Sequence, residues 1–142
     1  MSLYIDTSAL LKLFFAEPES VRTSEIVGQE SDVTVSSLTR LEALVQIHRR
    51  EAIGMLTGAK ARGRRRRLER LVTLSPFKLQ ICPSALIAAA ESQVLSATTY
   101  CPTLDRLHLA AMQLFHLRRL LTNDEAQAKA AHALGFEVIL PR

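Results

Sequence analysis

The chain contains no tryptophan and only 5% aromatic residues, so its core must be assembled from Leu, Ala, Val and Ile. A base-stacking platform for single-stranded nucleic acid is not expected from so few rings. Cysteine is equally scarce. Cys82 and Cys101 each precede a proline, Pro83 and Pro102, and no Cys or His pair stands at zinc-ligand spacing, so both read as reduced loop thiols. The four histidines, His48, His108, His116 and His132, are scattered. His108 and His116 fall on an apolar helical pattern, where a core or boundary histidine is the simpler reading. No apolar run approaches the roughly 20 residues that a bilayer span requires. The opening MSLYIDTSALLKLFF lacks a basic leader and carries Asp6 and Lys12 inside its apolar stretch, which argues against a signal peptide. A cytoplasmic location and no membrane partner are the expectations. Repeats, linkers and low-complexity tails are absent from the pattern.

What is present suits one domain over residues 1–142, long enough to bury about two thirds of the surface of the unfolded chain. The net charge of +4 is concentrated. Lys60, Arg62, Arg64, Arg65, Arg66, Arg67 and Arg70 against Glu69 give a local charge of +6, which leaves −2 for all other residues. Such a patch suits a solvated helix, a surface for an acidic partner, or contact with RNA through Arg62, Arg64, Arg65 and Arg67. Arginines at 64 to 67 spread around more than half a helical turn, so they cannot all face one groove.

Short strand-like runs at 3–5, 33–35, 77–81, 117–122 and 136–140 alternate with helical patterns. Thr7-Ser8 opens a helix, Pro18 allows another to about residue 30, and Ser36 or Ser37 caps a long one. In that long helix Leu38, Leu41, Val45 and His48 recur as a buried stripe with Glu42 at its edge. A further helix, broken or bent near Gly58 and Gly63, carries the arginines to about residue 74. Pro83-Ser84 starts an Ala-rich helix to about residue 97, and Pro102-Thr103 starts another with Leu104, Leu107, His108, Ala111 and Phe115 on one face. Thr122 and Glu125 fit a capping box before a last helix that Gly135 ends. The alternation predicts an α/β protein with a parallel sheet and helices on both faces.

Four acids follow from this layout. Asp6, Glu42 and Asp124 stand just beyond strand ends, and Asp105 lies in a first helical turn whose start could overlie the same edge. Taken singly, Asp6, Asp105 and Asp124 suffice as helix caps or first-turn anions, worth about 0.3–1 kcal/mol each, and Glu42 could face water. Taken together they lie where open α/β sheets place ligands, outside the carboxyl ends of the strands. Converging carboxylates repel, and a divalent cation relieves them; oxygen-only ligation suits Mg²⁺ or Mn²⁺ with substrate phosphate completing the shell.

Four segments sharpen this reading: Tyr4-Ile5-Asp6-Thr7-Ser8-Ala9-Leu10-Leu11, Ser36-Ser37-Leu38-Thr39-Arg40-Leu41-Glu42, Leu104-Asp105-Arg106-Leu107-His108-Leu109-Ala110, and Leu121-Thr122-Asn123-Asp124. In this order and at this length the chain resembles the PIN-domain nucleases, most closely the short VapC-type toxins of toxin–antitoxin pairs, over essentially its whole extent. The resemblance implies a three-layer sandwich whose central, mainly parallel sheet of four to five strands is flanked by helices. It implies a metal-dependent endoribonuclease that hydrolyses RNA with a metal-activated water, with Asp6, Glu42, Asp105 and Asp124 binding Mg²⁺ or Mn²⁺ and Asp6 and Asp105 as direct ligands. Thr7, Ser8, Thr122 and Asn123 would orient those carboxylates, although helix capping explains them equally well. A cognate antitoxin whose C-terminal segment covers the acid pocket, and a homodimer, are implied by the resemblance alone.

Two other classes compete. A phosphoryl-transfer enzyme with Asp6 as nucleophile would want a second aspartate at position 8, which is Ser8, and no G-x-x-x-x-G-K-[ST] loop is present. A non-catalytic binding module, or an RNA-processing nuclease outside any toxin–antitoxin pair, is compatible with the same residues.

Overall fold

Apolar runs too short for helices become strands, and the longer patterned segments between them become helices. The computed structural model describes residues 2–142. In chain order the elements are β1 (Leu3–Ile5), α1 (Thr7–Leu11), α2 (Ser20–Gly28), β2 (Val33–Ser36), α3 (Ser37–Ala52), α4 (Gly58–Leu71), β3 (Phe77–Gln80), α5 (Leu86–Ser96), α6 (Thr103–Leu114), β4 (Arg119–Leu121), α7 (Glu125–Ala133) and β5 (Glu137–Ile139). The five strands pair in the order β3-β2-β1-β4-β5 and every pairing is parallel. The fold is the expected α/β sandwich with five strands.

Strand side chains alternate between two cores, as the pleat requires. Leu3, Ile5, Val33, Val35 and Leu121 pack with Leu10, Phe14, Ile26, Val27, Ala43 and Leu68, the side of α1 to α4. Tyr4 and Leu120 point the other way, to Leu109, Met112, Ala130 and Ala131 of α6 and α7. The chain steps from β1 outward to β3, then returns to β4 on the other side of β1, so strand order reverses between β1 and β4. That reversal opens a crevice at the carboxyl ends of the two central strands.

Several expectations are corrected. The buried face of α3 is Thr39, Ala43 and Ile47, whereas Leu41 and Val45 are 57% and 52% exposed and His48 is exposed. Thr39 Oγ1 donates to the Ile5 carbonyl at 3.2 Å, and the small Thr39 and Ala43 let the helix lie close to the sheet, so helix rotation follows that contact and not the bulkier stripe. The arginine helix begins at Gly58, capped by Thr57, runs unbroken through Gly63 and stops at Leu71. The run at 9–15 yields only the five-residue α1. In α6 the buried set includes Arg106, His108, Leu109 and Met112, while Leu104 is 49% exposed. His116 lies beyond that helix, exposed, at φ 58°. Asp124 itself caps α7 through Gln127 N, in place of the Thr122–Glu125 box. Gly135, at φ 83°, ends α7 in a conformation that glycine adopts without strain.

Candidate active site

Where β1 ends, Asp6 leaves the strand in an extended conformation and its Oδ1 accepts from Ala9 N at 2.9 Å, capping α1. The carboxylate is only 3% exposed and is held by more than the cap. Ser8 Oγ donates to Oδ1 and Oδ2 at 2.8 and 2.9 Å, and Thr122 Oγ1 donates to Oδ2 at 2.6 Å. Ser8 is in turn held by the backbone N–H of Asn123 at 2.9 Å. Burial pushes the Asp6 carboxyl up, and the His108 ring, Thr122, Ala9 and Ser8 work against that rise.

Glu42 reaches the same region from α3, one turn beyond Thr39. Thr7 Oγ1 donates to its Oε1 at 2.8 Å, and His108 Nε2 bonds the same oxygen. Desolvation raises Glu42, but the His108 bond and charge and the Thr7 hydroxyl outweigh it and leave the carboxyl below its ordinary range.

Asp105 sits in the first turn of α6, half-buried, and its carboxylate makes no hydrogen bond among the described residues. Burial, then Asp124, Asp6 and Glu42, push it up to about 6, with His108 opposing. The four acids are thus brought within electrostatic reach of one another from β1, α3, α6 and the β4–α7 junction. They do not close into a ready ligand set: no three Asp, Glu, His or Cys groups among the described residues form a metal cluster. Three of the four are turned to their own donors, as mutually repelling carboxylates would be.

The donors present fit a hard divalent ion. All are oxygens, Asp105 is left without a donor beside three like charges, and Asn123 Oδ1, in the loop that carries Asp124, is buried with no partner.

The contacts of the α4 arginines do not involve the four acids. Arg64 and Arg67 place their guanidinium carbons 5.5 and 5.0 Å from the rings of Phe15 and Phe14, Arg50 joins at 3.7 Å from Phe15, and Arg65 pairs with Glu51 at 3.6 Å. Arg62 is exposed. Hollows of about 610 and 700 Å³ adjoin this helix, the first lined by Arg66, Arg67, Arg70, Leu71 and Phe77, the second by Phe14, Phe15, Val21, Arg64 and Arg67. Neither is lined by any of the four acids.

The residues that sequence reasoning passed over are Tyr4, Ser36 and His108. Tyr4 Oη lies 2.6 Å from His108 Nδ1 and 2.8 Å from Ser36 Oγ, so the histidine read as structural connects a buried tyrosine to Glu42. A signal existed. Asp105 and His108 are three apart on one helix and therefore share a face.

Comparison with known proteins agrees with this architecture. The family model for the PIN domain matches residues 3–133. Ribonuclease VapC46 of Mycobacterium tuberculosis is 28% identical over 149 residues, which span 99% of this chain and 98% of the relative. The structure of M. tuberculosis VapC20, a Sarcin-Ricin loop cleaving toxin, is similar with a TM-score of 0.71 at 14% identity, over 94% of this chain and 95% of that one. A toxin–antitoxin complex from Klebsiella pneumoniae contains a chain similar at TM-score 0.65 and 21% identity, over 100% of this chain and 98% of that one. Since the family match begins at β1 and runs through α7, taking in all four acids and the strands that carry them, the chain belongs to the PIN-domain family.

Proposed function

We propose that this protein is a Mg²⁺- or Mn²⁺-dependent endoribonuclease that acts as the toxin of a toxin–antitoxin pair. The observation that carries the metal is Asp105, a carboxylate without a donor among the described residues that is raised first by burial and then by three neighbouring acids. Asp6, Asp105, Glu42 and Asp124 would hold the cation. When bound, the ion supplies positive charge to the scissile phosphate and makes an attacking water more acidic. The chain's own groups do the rest: Ser8 and Thr122 fix Asp6, Thr7 and His108 fix Glu42, and the α7 cap fixes Asp124. RNA as substrate is supported by the name of the VapC46 relative, and the toxin role by VapC20 and the Klebsiella complex.

Two partners belong to this reading. An antitoxin would cover the acids with its C-terminal segment. A second copy of the chain would cover Leu41 and Val45, which are exposed one turn apart on α3. Of the four arginines considered for RNA, Arg64 and Arg67 lie over phenylalanine rings and Arg65 pairs with Glu51, which leaves the exposed Arg62 as the one proposed to meet RNA.

The test uses purified protein and a structured RNA. Cleavage in Mg²⁺ or Mn²⁺ is expected to disappear with EDTA and to fall at least about 100-fold in Asp6→Asn. Folded protein that cuts no RNA in either metal would overturn the assignment.

A further inference from the structure

A tyrosine in the middle of β1 is out of keeping with the leucines and isoleucines around it. Tyr4 is fully buried, and a buried phenol needs partners for its hydroxyl. It has two: Ser36 Oγ at 2.8 Å and His108 Nδ1 at 2.6 Å, with the two rings meeting edge to face at 5.7 Å and 71°. Ser36 is itself anchored as the cap of α3, accepting from Thr39 N at 3.0 Å. On the far side of the imidazole, Nε2 meets Glu42 Oε1. An ionised carboxylate only accepts, so Nε2 carries the proton in this contact whatever the state of Nδ1.

Two donors therefore converge on one oxygen of Glu42, His108 from α6 and Thr7 from α1. Oε2 has no hydrogen bond among the described residues. We propose that Tyr4 and His108 are positioning residues that hold Glu42 by Oε1 and leave Oε2 as its single metal-facing oxygen. The inference rests on the metal reading above and adds residues that touch neither substrate nor ion, since Tyr4 and His108 are 0% and 2% exposed. Burial raises the Tyr4 hydroxyl far above neutral pH, so it stays protonated and works as a hydrogen-bonding strut. The strut links the β2–α3 junction, through α6, to a side chain of α3 about one and a half turns beyond that junction. Without it Glu42 keeps Thr7 alone, and the carboxylate is free to rotate.

The full chain, titrated with Mn²⁺ by calorimetry at one pH, tests this. Tyr4→Phe keeps the ring and loses the strut; Mn²⁺ binding is expected to weaken about 10-fold, and about 10- to 100-fold in His108→Leu. His108→Gln, whose amide can still donate to Glu42, is expected to recover most of the affinity. In a Glu42→Gln background Tyr4→Phe is expected to cause no further loss, because both changes act on one ligand. Wild-type affinity in Tyr4→Phe, or an equal loss in the Glu42→Gln background, would overturn the proposal; if His108→Leu does not fold, Tyr4→Phe decides. Should the wild-type protein bind no Mn²⁺, the metal reading falls. The strut is then judged from the ¹⁵N-coupled imidazole spectrum: a protected Nε2 proton lost in Tyr4→Phe supports it, and identical spectra overturn it.

Discussion

Thr122 donates its hydroxyl proton to Asp6 Oδ2 at 2.6 Å, joining the ends of β1 and β4 across 116 residues of chain. Thr122 Oγ1 in turn accepts from Asp124 N at 3.0 Å, so one side chain fixes two of the four acids. Thr122→Val keeps the shape and removes both bonds. Asp6 is already raised by burial, and losing a donor to its charged form raises it further. Activity that requires ionised Asp6 should therefore fail at a higher pH than in the wild type, its acid limb displaced upward, with at least about a 10-fold loss at neutral pH. A pH–rate profile with an unmoved acid limb would contradict this.

Asp105 makes a stability prediction. Its folded-state pKa, about 6, lies above the ordinary 3.8, so the folded chain binds that proton more tightly than the unfolded chain does. The cost of ionising it is absent below pH 3.8, grows as pH rises towards 6, and is complete above that. Asp105→Asn should stabilise the metal-free protein by about 1 kcal/mol at pH 7, the full linkage being discounted for a half-exposed group. At pH 3.5 the gain should vanish. Urea melts of wild type and variant at both pH values in EDTA measure it, and saturating Mn²⁺ should reverse the ranking at pH 7.

Asp124 separates a cap from a ligand. Its Oδ1 accepts from Gln127 N at 2.9 Å, a bond that asparagine can also make. Asp124→Asn should leave thermal stability nearly unchanged and reduce RNA cleavage, whereas Asp124→Ala should lose activity and about 1 kcal/mol together. Equal activity in the wild type and Asp124→Asn would leave this residue a cap and nothing more.

For the second copy, Val45→Lys is the informative change. Val45 is 52% exposed, so a lysine there costs the fold little. A dimer closed over α3 should shift to monomer on size-exclusion chromatography with its melting curve otherwise intact, and an unchanged elution volume would remove α3 from the interface.

Much of this architecture was legible in the chain. Strand-like runs ending at Ile5 and Leu121 announced the junctions where Asp6 and Asp124 sit, because each is short, ends on apolar residues and is followed at once by small polar residues and a helical pattern. The rotation of α3 was not legible. Hydropathy favoured Leu41 and Val45 as the buried side, but Thr39, tied to the Ile5 carbonyl, and Ala43 decide the contact, and neither is conspicuous by apolarity. His108 was read as structural for a related reason: its partners, Tyr4 and Glu42, lie 104 and 66 residues away, and only its place three residues after Asp105 marked it locally.

The double use of Asp6 has a practical consequence. Its Oδ1 closes the first turn of α1, a helix of five residues that cannot sustain itself, so removing the whole carboxyl at position 6, as alanine does, also loosens the start of the fold. Asp105 closes no helix and holds no donor. An inactive form for testing the proposed nuclease is therefore better made at position 105, where loss of a proposed metal ligand and a gain in stability are expected from one substitution.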